Sequence, residues 1–464
     1  MEAKKDVKQI LETVLELVEN KQYVRARTIL LDYNAADIGE IIEEIRDEIS
    51  LDAAIIMFRM LPKDTSVDVF SYLPSEDQVE IINGITDHEI DYIIKELDFD
   101  DKIDVLEELP ANVVDKILEK APRSERKQIN TFLNYPDNCA GTLMTPDYIS
   151  LQVSMTVAEA LDHIRRTGMD SETIYTCYVK SSGRRLIGIV SLRSLVTSPA
   201  ETPLSELIHE DFVSVNVYDD QEEVYEQFKK YGYLALPVVD NENRLVGIIT
   251  MDDIFDVIEE ETTEDIERMA GVVDVEDNNT SYLDTSVWAH VKNRFPWLLS
   301  TMLVYIITGA IIGGFEKTLE AVISLAIYMP MLMGTGGNSG SQSATLIIRS
   351  LAVGDIDTRD GLRVLWKEVR VSVLLGFLLS LVNFVRVLIE QHSDPRCVGI
   401  ALTVSLSTIL IVMAAKCIGS MLPMLAKKIG IDPALMASPM ISSLTDMVSV
   451  TAFFLLATTI LHIH

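Results

Sequence analysis

Cysteine is scarce: the 464 residues hold four, Cys139, Cys177, Cys397 and Cys417, with no C-x-x-C pair and no metal-ligand spacing. That excludes a disulfide framework and a zinc site, and leaves four reduced packing residues. No Walker loop, nucleophile–base pair or redox motif occurs, and the seven histidines fit no ligand pattern, so no enzyme is expected. The opening MEAKKDVKQI has no apolar core. It is therefore not a secretory signal, and the large N-terminal part is expected in the cytosol. Positive charge is also short, with 39 Lys and Arg against 71 Asp and Glu, a net of −32. An acidic surface repels nucleic acid and anionic headgroups and attracts cations, so no nucleic-acid partner is expected.

The deficit is lopsided. Residues 286–464 carry 13 basic and 10 acidic side chains, a net of +3, whereas residues 1–285 carry 26 and 61, a net of −35. An acidic soluble part thus precedes a nearly neutral apolar part. Residues 321–348 run for 28 positions without a charge, long enough to span a bilayer. Inside them residues 330–343 read PMLMGTGGNSGSQS, with four glycines and a run of hydroxyls and amides. Backbone of that kind at membrane depth is tolerated where protein buries it or water bathes it. The string is expected to line a polar path, its glycines allowing close helix approach or an opened turn.

Five spans are expected, near residues 295–315, 320–349, 362–391, 397–425 and 433–460. Arg349, Arg359, Arg363, Lys367 and Arg370 surround the second loop and Lys427 and Lys428 follow the fourth span. Those loops belong in the cytosol by the positive-inside rule, which puts the N-terminus inside and the C-terminus outside. Asp446 is isolated between uncharged stretches. A carboxylate there is costly unless hydrated, paired or neutralised, so it is expected to face a cavity and an ion. The rival reading pairs it with Lys416 of the fourth span. Asp432 sits where the last span leaves the cytosolic side, as an N-cap, an ion entrance, or both. Neutral oxygens from Asn338 and its neighbours suit hydrated Mg²⁺, which dehydrates reluctantly and needs few carboxylates.

The acidic part carries a repeat. Leu61-Pro62, Leu73-Pro74, Ile85-Thr86, Leu97-Asp98 and Leu109-Pro110 recur every 12 residues and Pro122 keeps the phase, which predicts short helices stacked as a superhelix, with Pro in each first turn. Residues 174–196 and 233–258 then share the order strand, turn, strand, helix. They resemble tandem cystathionine-β-synthase (CBS) domains. That resemblance implies that Thr250 and Asp253 can hold the ribose of ATP or another adenine nucleotide; the first unit has Ser191 and Ser194 at those places. A purely structural, dimerising pair is the alternative.

The order of parts, the glycine-rich string and the downstream DPALMASPMISSLTD of residues 432–446 closely resemble the MgtE family of magnesium channels or transporters. The resemblance implies a multidomain membrane protein: an all-α superhelical N-domain (1–132), an α/β tandem CBS pair (133–262), a connecting plug helix (263–285) and a five-helix transmembrane pore domain (286–464). It implies a homodimer in the cell membrane, selective for Mg²⁺ and closed by cytosolic Mg²⁺. In that pattern Asp446, Asn338 and Asp432 are the pore acid, pore amide and cytosolic mouth. Asp100, Asp104, Asp220, Glu222, Asp253, Asp256, Glu261, Glu264 and Asp265 are the sensor acids, whose mutual repulsion bridging ions would screen. The closed state is then selected because it binds more Mg²⁺. Three residues depart from the pattern: Gly232 at a place for an acid, Ser341 at one for Asn and Ser449 at one for Gly. The competing functions are a Na⁺- or H⁺-coupled divalent-cation transporter and a membrane-anchored nucleotide sensor.

Overall fold

The computed structural model describes residues 3–181, 183–272, 282–283, 285–436 and 438–462. Residues 273–281 and 284 of the expected connecting segment lie outside the described residues. The chain forms two compact units, Met1–Glu259 and Glu260–His464.

The first unit opens with α1 (Ala3–Glu19), α2 (Tyr23–Leu30) and α3 (Ala35–Glu48). Then come α4 (Leu51–Arg59), α5 (Lys63–Ser71), α6 (Ser75–Gly84), α7 (Asp87–Glu96), α8 (Phe99–Glu108), α9 (Ala111–Lys120) and α10 (Arg123–Phe132). Each of the last six starts 12 residues after its predecessor, as the repeat predicts. The prolines stand one position earlier than expected. Pro62, Pro74, Pro110 and Pro122 are N-caps, with φ between −54° and −57° and extended ψ. There the carbonyl accepts the first helical bond, as Pro62 does from the Ser66 amide at 2.8 Å, and no proline N–H is needed. Thr86 replaces proline with a capping box, its amide donating to Glu89 at 2.8 Å. Leu61, Leu73, Leu97 and Leu109 close their helices and are buried, each worth about 2 kcal/mol of transfer free energy.

A short helix α11 (Ala140–Leu143) leads to the CBS pair. The first CBS domain is β1 (Tyr148–Gln152), α12 (Val157–Thr167), β2 (Thr173–Lys180), β3 (Leu186–Ser191) and α13 (Leu192–Thr197). The second repeats that order as β4 (Val215–Asn216), α14 (Gln221–Tyr231), β5 (Ala235–Val239), β6 (Leu245–Thr250) and α15 (Met251–Ala270). In both sheets the first strand is parallel to the second and the second antiparallel to the third, with Cys177 opposite Val190 and Leu236 opposite Ile249. The predicted Asn-Glu-Asn turn holds Asn243 at φ +58°, and Asp240 accepts from the amides of Glu242 and Arg244 at 2.8 and 2.9 Å. Gly232 has its own backbone reason: it ends α14 at φ +64°, where a side chain is strained. One buried cluster runs from Val14 through the helical repeat to Leu236 and Ile254 of the second CBS domain, whereas the first has a separate core around Ile149, Val179 and Leu195. Helix α15 runs without a break across residues 262 and 263, the expected boundary between the CBS pair and the plug helix.

The second unit contains α16 (Val287–Gly314), α17 (Glu316–Ala321), α18 (Leu325–Ala352), α19 (Gly361–Glu390), α20 (Cys397–Lys428) and α21 (Ser438–Leu461). Among the described residues four helices, α16, α19, α20 and α21, are long and apolar enough to cross a membrane. The remaining expected span, 320–349, corresponds to α18, which has the length, 28 residues, but carries the polar string. It packs along α20 and α21. All four cysteines are free.

Candidate functional site

The glycine-rich string stays helical, so of the two conformations open to it the structure takes close approach. A methyl at Gly336 would meet Ser449 Oγ at 2.7 Å and Ile411 at 2.9 Å; one at Gly340 would meet Ile441 at 2.7 Å and the Ala415 carbonyl at 3.2 Å. From α20, Gly419 abuts the Gly340 carbonyl so closely that no methyl fits. The glycines thus seat α18 between α20 and α21. Asn338, Gln342, Thr345 and Arg349 lie on an exposed stripe at spacings of four, three and four residues.

Asp446, on α21, is 8% exposed, and Tyr305 of α16 donates its hydroxyl to Oδ2 at 3.2 Å. Lys416 is not its partner. The ammonium instead donates to Ser343 Oγ at 3.1 Å and lies 3.8 Å from Glu368. Asp432 is an N-cap, accepting from the Ala434 amide at 2.8 Å, and it is also ion-paired at 2.9 Å with Arg268. Arg268 also pairs with Glu264 on its own helix. Burial first, then Asp432 and Glu261, push the Asp265 carboxyl up. Arg268 had no signal in the sequence, being one cation in an acidic run.

In the first unit the structure brings Asp100 and Asp104 of α8 against Asp253 in the first turn of α15, and adds Asp101 and Glu172. Burial pushes Asp100 up to about 6, with Asp101 adding to it. Burial, Asp98 and Asp253 push Asp101 to about 6. Burial and Asp100 raise Asp253 to about 7 and Glu172 to about 8. Asp104 stands well above the usual range through burial and Asp100. Asp253 is held by Thr250, whose Oγ1 and amide donate to Oδ2 at 2.7 and 3.2 Å. Asp256 is raised by burial and by Glu259 and Asp252 of its own helix. Asp220 and Glu222 stand elsewhere, exposed at the start of α14, where Asp220 accepts from the Glu222 amide at 2.9 Å. Among the described residues no three His, Cys, Asp or Glu side chains form a ready-made metal site. The acids are close enough to repel, not arranged to chelate.

This cluster fixes a pH dependence. A carboxyl whose folded pKa is raised holds a proton that the unfolded chain has released, so stability falls as pH rises. Between the ordinary Asp value of 3.8 and about 8 at Glu172, each group loses stabilisation in turn. In EDTA the thermal midpoint of the full chain is expected to be higher at pH 6 than at pH 8, with saturating Mg²⁺ shrinking the difference. A higher midpoint at pH 8 contradicts this.

The sequence gives no signal for an open cleft of about 650 Å³ in the CBS pair, lined by Tyr175, Tyr178, Ser191, Arg193, Tyr233 and Pro237 among others. It lies between the two CBS domains and includes Ser191, though not Ser194, of the first. Thr250 and Asp253, the expected ribose pair, do not line it.

Three family models match in order. They are the MgtE intracellular N domain at residues 33–138, the CBS domain at 140–201 and 204–260, and the MgtE divalent cation transporter at 329–456. The chain is 37% identical over 452 residues to the magnesium transporter MgtE of Thermus thermophilus, covering 95% of this chain and 98% of that protein. It is 29% identical over 461 residues to the magnesium transporter MgtE of Bacillus subtilis, covering 96% and 100%. A crystal structure of the cytosolic domain of the Mg²⁺ channel MgtE in complex with ATP aligns with a TM-score of 0.49 at 33% identity, over 53% of this chain and 99% of that one.

Proposed function

Given that the chain belongs to the MgtE family of divalent cation transporters, we propose that it is a Mg²⁺-selective channel closed by cytosolic Mg²⁺. The observation that carries this reading is the exposed stripe of Asn338, Gln342, Thr345 and Arg349 on a helix that packs along two apolar helices, α20 and α21. Amides and hydroxyls on such a helix belong against water or protein, not lipid. A second copy related by a two-fold axis would place two such stripes face to face. Mg²⁺ is the substrate of that path. It would pass with most of its waters, held by neutral oxygens at Asn338 and by the Asp446 carboxylate, because full dehydration would stall it.

The soluble acids supply the gate. Asp100, Asp104 and Asp253 are held near one another, their proton affinities raised first by burial and then by mutual repulsion. Hydrated Mg²⁺ between them would relieve it without a chelating geometry. Near the mouth, Arg268 would offset one of the two charges of Asp432 and Glu264, and Glu261 and Asp265 would contribute to cation binding there. Asp256 would extend the sensor along α15, and Asp220 and Glu222 would add a weaker exposed site. The plasma membrane is the assigned location, with the N-terminus cytosolic and the C-terminus outside.

An adenine nucleotide is assigned to the open cleft rather than to Thr250 and Asp253, since Asp253 faces Asp100. Binding of a fluorescent ATP analogue that survives Asp253→Asn and fails in Arg193→Ala supports this placement.

The function itself is tested by patch recording from proteoliposomes with a Mg²⁺ gradient as the sole driving force. Current under those conditions is expected. Silence there, with flux restored by Na⁺ or a proton gradient, transfers the protein to the coupled-transporter class.

A further inference from the structure

Three groups in the second unit serve neither the ion path nor the mouth just described. Ser343 of α18, Glu368 of α19 and Lys416 of α20 converge. Ser343 Oγ donates to Glu368 Oε2 at 2.6 Å and accepts from Lys416 Nζ at 3.1 Å, and the two charges are 3.8 Å apart. Their burial is deep, with Ser343 at 1%, the Lys416 side chain at 5% and that of Glu368 at 12% exposure. Lys416 lies about three turns in from the end of α20 at Lys428, and Glu368 about two turns in from the start of α19 at Gly361. An ion pair at that depth is expensive against an apolar pair of the same volume, and is retained where it specifies one arrangement.

The neighbours show which arrangement. One turn before Ser343 on α18 is Gly340, and one turn after Lys416 on α20 is Gly419, where an added methyl would collide with the Gly340 carbonyl. A methyl at Gly340 would also meet Thr445, next in sequence to Asp446, at 3.3 Å. A glycine seam lets helices approach but is smooth, so it does not by itself set their axial register. A directional three-centre polar contact does, because its hydrogen bonds fail over a shift of about an ångström.

We propose that Ser343, Glu368 and Lys416 are positioning residues: a polar clamp behind α18 that fixes its register on α20 and so sets the height of Asn338 against Asp446. Ion discrimination then depends on three side chains that touch no ion. The inference rests on the reading of α18 as a pore wall.

The test uses the full chain in proteoliposomes, with initial Mg²⁺ and Ca²⁺ uptake measured over a range of concentrations. Ser343→Ala removes the bridging hydroxyl and keeps both charges. Lys416→Met with Glu368→Leu replaces the ion pair by apolar groups of similar length, a change that buried pairs commonly tolerate. Both variants are expected to raise KM for Mg²⁺ and lower the Mg²⁺-over-Ca²⁺ preference by at least about threefold, with the thermal midpoint held. Wild-type KM and preference in the variants, including when only the thermal midpoint moves, overturn the clamp. If the double variant does not assemble, Ser343→Ala decides alone. Wild-type protein that carries no Mg²⁺ overturns the channel reading and this inference with it; wild-type transport with unaffected variants overturns the clamp alone.

Discussion

Asp446→Ala is expected to lower the initial rate of Mg²⁺ uptake into proteoliposomes by about 100-fold, which at tenfold per 1.36 kcal/mol is roughly 2.7 kcal/mol of lost cation stabilisation. The size follows from the setting. Asp446 is the one acid of α21, is 8% exposed, and has a hydroxyl, not a cation, at hydrogen-bond distance. A buried carboxylate paired to lysine could be deleted with its partner at little cost to flux. Here the lysine is spoken for by Ser343 and Glu368, leaving the charge of Asp446 for the permeating ion. Tyr305→Phe removes only the hydroxyl that orients the carboxylate, so its effect is expected near one hydrogen bond, about 1 kcal/mol or fivefold in rate. Retained flux in Asp446→Ala would sink the proposed path, whereas flux no higher than protein-free vesicles in both wild type and variant would favour the membrane-anchored sensor.

The second large effect concerns the gate. In the full-length protein, Mg²⁺ is expected to slow proteolysis of the acidic unit strongly. One ion at 100 times its Kd stabilises the state it binds by about 2.7 kcal/mol, so the cleavable population falls by about 100-fold when opening is fast relative to cutting. Combined Asp100→Asn, Asp104→Asn and Asp253→Asn substitution removes both the repulsion and the ligands. The variant is expected to resist proteolysis equally with and without Mg²⁺, because an amide in a site that favours the protonated carboxyl has no charge to desolvate. Full Mg²⁺ protection in that variant would refute the sensor. Neutral Asp220 and Glu222, exposed at the start of α14, should alter the response far less.

What the sequence discloses here is what has a period or an anomaly. The 12-residue phase of α4–α10 is legible because each helix ends on an apolar residue and a cap. The hairpins of the CBS pair are legible from β-rich runs around a turn. The parallel strands β1 and β4 are not, since β4 is two residues long and pairing is non-local. Asp446 and the glycine string stand out as polar groups in apolar surroundings. Asp101 and Glu172 do not, because one more acid in an acidic unit carries no contrast; only folding reveals that they are pressed on Asp100 and Asp253. The partner of Lys416 escapes for a related reason. Glu368 lies near the basic start of α19, where a loop-facing reading is natural, and packing turns it inward.

The two CBS domains have the same strand order, yet their cores are not equivalent. The second shares one continuous apolar cluster with the helical repeat, while the first keeps its own. Only a small cluster joins them, Tyr178 of the first packing with Ala235, Leu245 and Ile248 of the second. Heat or denaturant should take the second domain and the repeat together, with the first free to open at lower cost. A lesion such as a cavity in the repeat would be inherited by Leu236 and Ile249 more than by Val179 and Val190. Duplicated architecture is thus unequal in packing, while both domains line the open cleft, the first through Ser191 and Arg193 and the second through Tyr233 and Pro237.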